Sequence, residues 1–239
     1  MAAPAAPQFK PFDTKSLLPA EKPSAEVQVI VAALPVVSFE ELMHRGEPSD
    51  HKPASDSHEG CLLSVSEHPD EWQQIARTLK GDDYVIQLPG GPLRLVDMHK
   101  IRPKTRTALR KLGIALGLVQ KTKGYKISWW DDEAEDTYFY TTCEKSEADA
   151  EAGEEGRTVT SQMVYLTTPK LATYWGLRHG VTAISSHDTL CALISYLAEW
   201  SGSHHGLWWQ DTYDPASLSC PRGGLFQSVL SGIEITPAS

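Results

Sequence analysis

The spacing of apolar residues predicts a mixture of strands and helices in the first hundred positions. Residues 26–31 (EVQVIV) have β-branched side chains at every second position or closer, which favours a strand. Ser38, with Glu41 three residues later, forms a capping-box pattern that predicts a helix ending at Gly46. The other predicted elements of this half are a strand at 61–66, a helix after Pro69, and strands at 84–88 and 93–98 joined by a turn.

The second half of the chain carries longer elements. Leucines recur at helical spacing after Pro103 and predict an amphipathic helix. Residues 124–142 are aromatic and β-branched and predict a two-stranded ribbon, whereas the acidic residues 144–157 predict a mobile loop. The remaining predicted elements are a strand at 163–167, a helix after Pro169, a strand at 181–185, a helix that begins near Ser185 and a strand at 232–236.

This order of elements lacks the regular strand–helix alternation of a doubly wound sheet. We therefore predict an α+β fold with a central mixed or antiparallel sheet flanked by helices. Residues 1–25 hold five prolines and many alanines, which predicts a flexible tail. The prediction is a single main domain over 26–239 that contains the acidic mobile loop.

The composition indicates a globular protein. Of the 239 residues, 41% are hydrophobic, which is enough for a core and argues against a disordered or fibrous chain. No apolar run approaches the roughly 20 residues that span a bilayer, and the first residues lack a secretory-signal pattern. Because the four cysteines are scattered, we expect reduced thiols in a cytoplasmic protein with no membrane contact, although two disulfides are compatible with the spacing.

Charge is distributed unevenly along the chain. The net charge is −9, yet residues 94–126 carry ten Lys or Arg against one acid, and residues 131–155 carry eleven acids against one lysine. One interpretation is that the two blocks neutralise each other across the surface, or that the acidic block is a solvated loop. The other is that the basic block binds an anion, such as RNA, DNA or a dinucleotide, and that the acidic block competes with it.

Common catalytic and metal-binding motifs are absent from the sequence. The chain has nine histidines but no HExxH, HxH or CxxC, and a solvated loop accounts for the His and acidic residues of 50–59, so no metal site is predicted. Ser186-His187-Asp188 are consecutive and cannot converge as a catalytic triad. The glycine-rich loops of nucleotide-binding proteins are also missing. Cys220, two residues before Arg222, is a candidate reactive thiol.

Residues 206–226 combine aromatic rings, carboxylates, an arginine and a glycine pair. Rings stack on planar ligands, an arginine fork binds phosphate, and adjacent glycines let a ligand approach the backbone. The alternative is aromatic core packing with Arg222 bonded to Asp211 or Asp214, and the sequence leaves both open.

The runs LLSVSEHPDEWQQIA and VYLTTPKLATYW resemble the strand–Ser/Thr–helix segment of the ADP-ribosyltransferase-like fold. GLWWQDTYDPASLSCPRGGLF is similar to the late segment of some bacterial and phage members of that fold. The resemblance covers about a third of the chain. It implies NAD as the cofactor and modification of a macromolecular target, or a degenerate site. The family's opening Arg or His strand and its ExE or QxE pair are not found.

The resemblance also implies roles for individual residues. Glu234 or Asp211 would be the carboxylate that stabilises the oxocarbenium-like transition state. Trp208 or Trp209 would stack on the nicotinamide, and Arg222 would hold the diphosphate. The hydroxyls that would shape the cleft are those of Ser64, Ser66, Thr167 and Thr168.

The charge blocks favour a different function. On this second hypothesis the chain is a non-enzymatic interaction protein, an inhibitor or accessory factor of a phage or mobile element, with a protein or nucleic-acid partner. The nucleic-acid contacts would be Lys100, Arg102, Lys104, Arg106, Arg110 and Lys111. Whether the protein is an enzyme stays open at this point, and the sequence indicates no oligomeric state.

Overall fold

The computed structural model describes residues 13–46, 60–68, 70, 82–132, 135–176, 186–211 and 220–238. Within them lie eleven strands and five α-helices. The strands are β1 (Val36–Phe39), β2 (Leu42–Arg45), β3 (Leu63–Val65), β4 (Asp83–Gln87), β5 (Leu93–Asp97), β6 (Val119–Asp131), β7 (Asp136–Thr142), β8 (Arg157–Thr167), β9 (Gly206–Trp209), β10 (Arg222–Leu225) and β11 (Glu234–Pro237). The helices are α1 (Ala25–Ala32), α2 (Pro103–Ala115), α3 (Lys145–Glu151), α4 (Pro169–Tyr174) and α5 (Ser186–Ser201), with short 3-10 helices at Lys15–Leu17 and Gln227–Gly232.

Three sheets are present in the described part of the chain. The central sheet has the strand order β1–β5–β9–β10–β3, in which β5 and β9 are parallel and the other neighbours are antiparallel. A small sheet (β11–β4–β2) and a ribbon sheet (β7–β6–β8) are both antiparallel. The predicted α+β fold with a central mixed sheet flanked by helices is therefore confirmed.

Both faces of the central sheet are covered. Side chains alternate along β9, so Leu207 and Trp209 point to the helices while Trp208 points to the small sheet. Helix α5 supplies much of the helical side, where Leu193 and Leu197 are fully buried. The predicted helix that begins near Ser185 is thus confirmed. No helix among the described residues is both long and apolar enough to cross a membrane.

The first two predicted elements are wrong in type. Residues 25–32 form a helix capped by Ser24, in which Val27 and Val31 are buried one turn apart while Val29 is 69% exposed. The predicted helix after Ser38 is instead the strand pair β1 and β2, with β1 hydrogen-bonded to β5. Strand pairing and burial outweigh a local capping signal that contributes only about 1 kcal/mol.

The predicted acidic loop also contains a helix, α3. Ala148 is 2% exposed against the ribbon sheet, and the Lys145 ammonium is 2.5 Å from the Asp149 carboxylate one turn later. This packing stabilises a short helix that its composition alone would not predict.

Most of the other predicted elements agree with the structure. The strands at 61–66, 84–88, 93–98 and 232–236 and the helices after Pro103 and Pro169 are present, with bounds that differ by a few residues. The predicted ribbon is present and gains β8 as a third strand, which begins six residues before the predicted strand at 163–167. The helix predicted after Pro69 and the strand predicted at 181–185 lie outside the described residues.

Candidate functional site

The carboxyl ends of the parallel strands β5 and β9 lie side by side at one edge of the central sheet, called here the carboxyl edge. Asp97 is the last residue of β5, and Asp211 comes two residues after β9. In sheets with parallel strands, ligands bind preferentially beyond the carboxyl ends, where loops present side chains to a common space. The residues that follow β5 and β9 are therefore the first place to look for a site.

The turn after β5 is fixed by a buried carboxylate. Asp97 is fully buried, and its Oδ1 accepts the backbone N–H groups of His99 at 3.1 Å and Lys100 at 3.3 Å. The Lys100 ammonium is 2.9 Å from the other oxygen of Asp97, although 63% of the Lys100 side chain is exposed. These contacts hold the backbone of His99 and Lys100 in one orientation at the carboxyl edge.

His99 and Asp211 form a pair across the two parallel strands. The Nε2 atom of His99 is 3.0 Å from Oδ1 of Asp211, and the two side chains are 50% and 25% exposed. An ionised carboxylate can only accept a hydrogen bond, so His99 Nε2 carries the hydrogen. In the neutral imidazole, Nδ1 is then the basic nitrogen. The sequence analysis missed His99 because nothing in the sequence shows that β5 and β9 are neighbours.

The structure brings together three of the residues expected from the sequence. Asp211 follows β9, Arg222 begins the adjacent β10, and Ser66 follows β3 on the far side of β10. Neighbouring strands are about 4.8 Å apart, so the three lie along one sheet edge. The Ser66 hydroxyl already donates to the Pro221 carbonyl at 3.1 Å and accepts from the His68 N–H at 3.0 Å.

The two tryptophans are placed differently from the expectation. Trp208 is 2% exposed between the central and small sheets, where its ring lies 4.5 Å from that of Phe39. Trp209 is 3% exposed and packs on the opposite, helical side. Neither ring offers a face to solvent, and the two rings do not share one cavity. The alternative left open by the sequence, aromatic core packing, describes both residues.

The other predicted site residues lie away from the carboxyl edge. Glu234 is exposed on β11 of the small sheet, opposite Gln87. The Thr168 hydroxyl donates to the Gly117 carbonyl at 2.8 Å and fastens the start of α4 to the turn before β6. Ser64 sits within β3, paired with Gly224, and Thr167 is a buried residue at the end of β8.

Glu199 is a further carboxylate of the fold and is buried within α5. Its Oε1 accepts from the Thr14 hydroxyl and from the Ser228 N–H, and its Oε2 accepts from the Tyr174 hydroxyl, all at 2.8 Å. Burial and the nearby Glu199 charge raise the pKa of Tyr174 well above its usual value. Thr14 belongs to the predicted flexible tail but is 1% exposed here. These bonds give Glu199 a structural role.

A hydrogen-bonded chain at the end of α5 resembles an activated serine but lacks the required proton arrangement. The Ser201 hydroxyl donates to Ala198 O at 2.9 Å, and Ser203 Oγ lies 2.7 Å from Ser201 Oγ and 2.8 Å from His204 Nδ1. Since the hydrogen of Ser201 is already used, Ser203 must donate to Ser201. His204 Nδ1 must then donate to Ser203, so the imidazole does not act as its base.

Four of the six cations predicted for nucleic-acid contact are exposed just before α2 or along it. They are Lys100, Arg102, Lys104 and Lys111. The remaining two point elsewhere. Arg106 donates to the backbone carbonyls of Ile101 and Met98, and the Arg110 guanidinium lies 4.7 Å from the ring centroid of Tyr165 on the ribbon sheet.

The ribbon sheet extends this basic surface beyond α2. Residue register places Lys121 opposite Tyr165 and Lys123 opposite Met163, with Tyr125 next along β6 on the same face. We call these five residues the basic ribbon face. Both lysines are exposed, both tyrosines are partly exposed and Met163 is 50% exposed. The Lys121 and Lys123 ammonium groups lie 6.0 and 5.4 Å from the ring centroids of Tyr165 and Tyr125.

Helix α3 places negatively charged side chains at the far end of the basic ribbon face. Glu147 and Glu151 hydrogen-bond the phenol of Tyr140, whose pKa rises to about 12 through burial and these carboxylates. Glu151 also pairs with Arg157 at 3.4 Å, and the Arg157 guanidinium stacks 4.3 Å from the Trp129 ring centroid. The basic side chains of β6 and the acidic side chains of α3 therefore lie toward opposite ends of the ribbon sheet.

All four cysteines are free thiols, and burial raises the pKa of Cys61 and of Cys191. In the part of the chain that is described, no group of three or more His, Cys, Asp or Glu side chains is arranged to hold a metal ion. The acidic and histidine-containing loop at 50–59 lies outside the described residues. Compared with known proteins, the chain matches no protein-family model, no curated protein and no solved structure.

Proposed function

We propose that the protein binds a single-stranded nucleic acid along α2 and the basic ribbon face. The observation that carries this proposal is the alternation of exposed lysines with tyrosine rings on one face of β6 and β8. Proteins that bind single strands combine cations that follow the phosphates with aromatic rings on which bases stack. Lys121 and Lys123 provide the cations and Tyr125 provides a ring at adjacent positions of β6, while the Tyr165 ring on the same face lies against the guanidinium of Arg110.

Helix α2 continues the path of positive charge toward the carboxyl edge. Lys104 and Lys111 are seven residues apart and lie on the same exposed side of the helix. Thirteen helical residues span about 20 Å, which would accommodate several phosphates of an extended strand. The negative charge of α3 at the other end of the ribbon sheet repels phosphate, so the nucleic acid is expected to bind toward the α2 end of the sheet.

The test measures binding of a fluorescein-labelled single-stranded DNA to the full chain by fluorescence anisotropy. The double variant Lys121→Glu/Lys123→Glu is expected to bind at least about tenfold more weakly. If two phosphates lose their contacts, the slope of log K against log salt falls by about 1.4. Tyr125→Ala is expected to lose about 1–3 kcal/mol of binding free energy with little change in that slope.

The matched control is Lys15→Glu/Lys22→Glu, which makes the same charge change at two exposed lysines of the N-terminal segment. Equal weakening by both double variants would show a general charge effect and contradict the proposal. Poly-glutamate carries negative charge but no bases. If it displaces the labelled DNA as well as unlabelled DNA does, the stacking role of the tyrosines is contradicted.

A second candidate is NAD-dependent transfer of ADP-ribose to a macromolecular target, favoured by the placement of Asp211, Arg222 and Ser66 along one sheet edge. A thermal shift with NAD tests it, because a ligand at a hundred times its dissociation constant stabilises the native state by about 2.7 kcal/mol. The absence of any shift, with tryptophan fluorescence unchanged, would leave nucleic-acid binding as the better proposal.

A further inference from the structure

We infer that the His99–Asp211 pair cleaves the bound strand when that strand is RNA, an activity that rests on the proposed nucleic-acid binding. The pair lies where the basic path along α2 begins, because His99 and Lys100 belong to the short turn that joins β5 to that helix. A strand bound along α2 would therefore have a phosphodiester next to the imidazole. None of the roles described above for residues of the carboxyl edge uses the His99 side chain.

His99 has the arrangement of a general base. Asp211 holds Nε2–H at 3.0 Å, which leaves Nδ1 as the nitrogen that can take a proton. Half of the side chain is exposed, so a ribose hydroxyl can reach it. The backbone of His99 is also fixed, since its N–H is bound to the fully buried Asp97. A histidine oriented by a carboxylate is the usual means of removing a proton from a hydroxyl near neutral pH.

The charge that develops on the phosphate has cations beside it. The Lys100 ammonium has three hydrogens, and its ion pair with Asp97 at 2.9 Å leaves donors for a phosphate oxygen. Arg102 is exposed at the N-terminus of α2, two residues farther along. Cations close to the phosphate stabilise the extra negative charge of a pentacoordinate phosphorus.

The reaction is a transesterification whose only reactant is the RNA. The 2′-hydroxyl gives its proton to His99 Nδ1 while the 2′-oxygen forms a bond to the adjacent phosphorus. The bond between phosphorus and the 5′-oxygen of the next nucleotide breaks, and that oxygen takes a proton from solvent. The products are a 2′,3′-cyclic phosphate and a 5′-hydroxyl, and the imidazolium returns its proton to water. DNA has no 2′-hydroxyl and is bound without cleavage.

His99 is the catalytic residue of this step, and Asp211 is a positioning residue that acts through it. Asp211→Asn keeps the size of the side chain and removes its charge. The imidazolium that forms during proton transfer then loses its carboxylate partner, so kcat is expected to fall while the KM for the RNA stays unchanged. A purely structural role of Asp211 would change kcat and KM together.

The experiment incubates the full chain with a labelled mixed-sequence RNA and identifies the ends of the products by mass. The expected result is cleavage that yields 2′,3′-cyclic phosphates and that stops where a single 2′-deoxynucleotide replaces the cleaved position. His99→Ala is expected to lower the rate at least about 100-fold. His68→Ala, a change at an exposed histidine three strands away in the central sheet, is the matched control and retains the rate. His99→Gln repeats the test if the alanine variant fails to fold, as judged by circular dichroism.

Binding of an RNA whose 2′-hydroxyls are all methylated is measured in parallel, because that RNA cannot be cleaved. Binding without cleavage of ordinary RNA would overturn the inference and leave the proposed function in place. If the protein neither binds nor cleaves RNA, both the proposed function and this inference are overturned. Cleavage that His99→Ala leaves unchanged, or products that lack the cyclic phosphate, would also overturn the inference.

Discussion

At the scale of single residues, Glu199 joins three parts of the chain that are distant in sequence. Its carboxylate is 7% exposed and accepts hydrogen bonds from Thr14, Tyr174 and Ser228. A buried charge is tolerated only where it is fully hydrogen-bonded. Three donors would be left without an acceptor if the side chain were removed.

We predict that Glu199→Ala lowers the free energy of unfolding by about 3 kcal/mol, since each buried donor left without an acceptor costs about 1–3 kcal/mol. Glu199→Gln retains one carbonyl oxygen, and we expect a loss of about 1 kcal/mol. Urea denaturation followed by tryptophan fluorescence measures both. Glu234→Ala on the exposed face of β11 is the control and should change stability by less than about 0.5 kcal/mol. An alanine variant of Glu199 as stable as this control would contradict the role assigned to Glu199.

The sequence analysis proposed some residues of the candidate site and missed others for a physical reason. Asp211 and Arg222 could be proposed because carboxylates and arginines beside glycines are visible within one segment. Trp208 and Trp209 attracted attention by composition, but whether a tryptophan stacks on a ligand or on the core depends on burial, which the sequence does not give. His99 is separated from Asp211 by 112 positions, so only the pairing of β5 with β9 reveals the dyad.

At the scale of elements, tertiary pairing decides between helix and strand where local signals disagree. EVQVIV has strand-forming residues, yet Ser24 caps it and the buried positions Val27 and Val31 follow helical spacing. Ser38 and Glu41 have a helix-capping pattern, yet β1 pairs with β5 over four residues. The predicted fold class is still correct because a predicted strand that is a helix and a predicted helix that is a strand pair leave an α+β mixture.

The close approach of β9 and β10 depends on glycine. A Cβ added to Gly206 would lie 2.2 Å from the backbone oxygen of Gly224, a contact that no rotation of a side chain can relieve. We predict that Gly206→Ala lowers the free energy of unfolding by about 3 kcal/mol, at the upper end of overpacking effects. The comparison is with Gly232→Ala, where the added Cβ meets no atom within 4 Å.

Chemical denaturation of the two glycine variants under the same conditions provides the measurement. The Gly232 variant should stay within about 0.5 kcal/mol of the unchanged protein. If Gly206→Ala is equally well tolerated, the β9–β10 register described here is wrong. That result would also remove the support for placing Asp211, which follows β9, beside Arg222 at the start of β10.

At the scale of the whole molecule, charge is separated along the ribbon sheet. The sequence shows the two charge blocks as counts of residues, and the nucleic-acid contacts expected from it lie within 100–111. It does not show that Arg106 and Arg110 make intramolecular contacts, or that Lys121 and Lys123 are exposed on the ribbon sheet. Those outcomes depend on how α2 packs against β6 and β8, which the sequence leaves open.

Stability of the whole fold should also depend on buried histidines. Burial lowers the pKa of His204 to about 4, with further contributions from the charges of Arg94 and His205. Burial likewise lowers the pKa of His205 and His44. In the unfolded chain a histidine has a pKa of about 6.5, so below that pH the unfolded state binds more protons than the native state. We therefore predict that the stability contributed by these neutral histidines is fully present above about pH 6.5 and is lost as the pH falls toward 4.

The variant His204→Asn isolates one of these protons. An asparagine amide can replace the Nδ1–H donor that faces Ser203 and does not titrate. A single proton corresponds to a slope of at most about 1.4 kcal/mol per pH unit. Urea denaturation of both proteins between pH 8 and pH 5 should give a shallower decline for His204→Asn, with similar values at pH 8 where His204 is neutral in both states. Parallel declines would mean that His204 is protonated equally in the native and unfolded states, which would contradict the lowering of its pKa by burial.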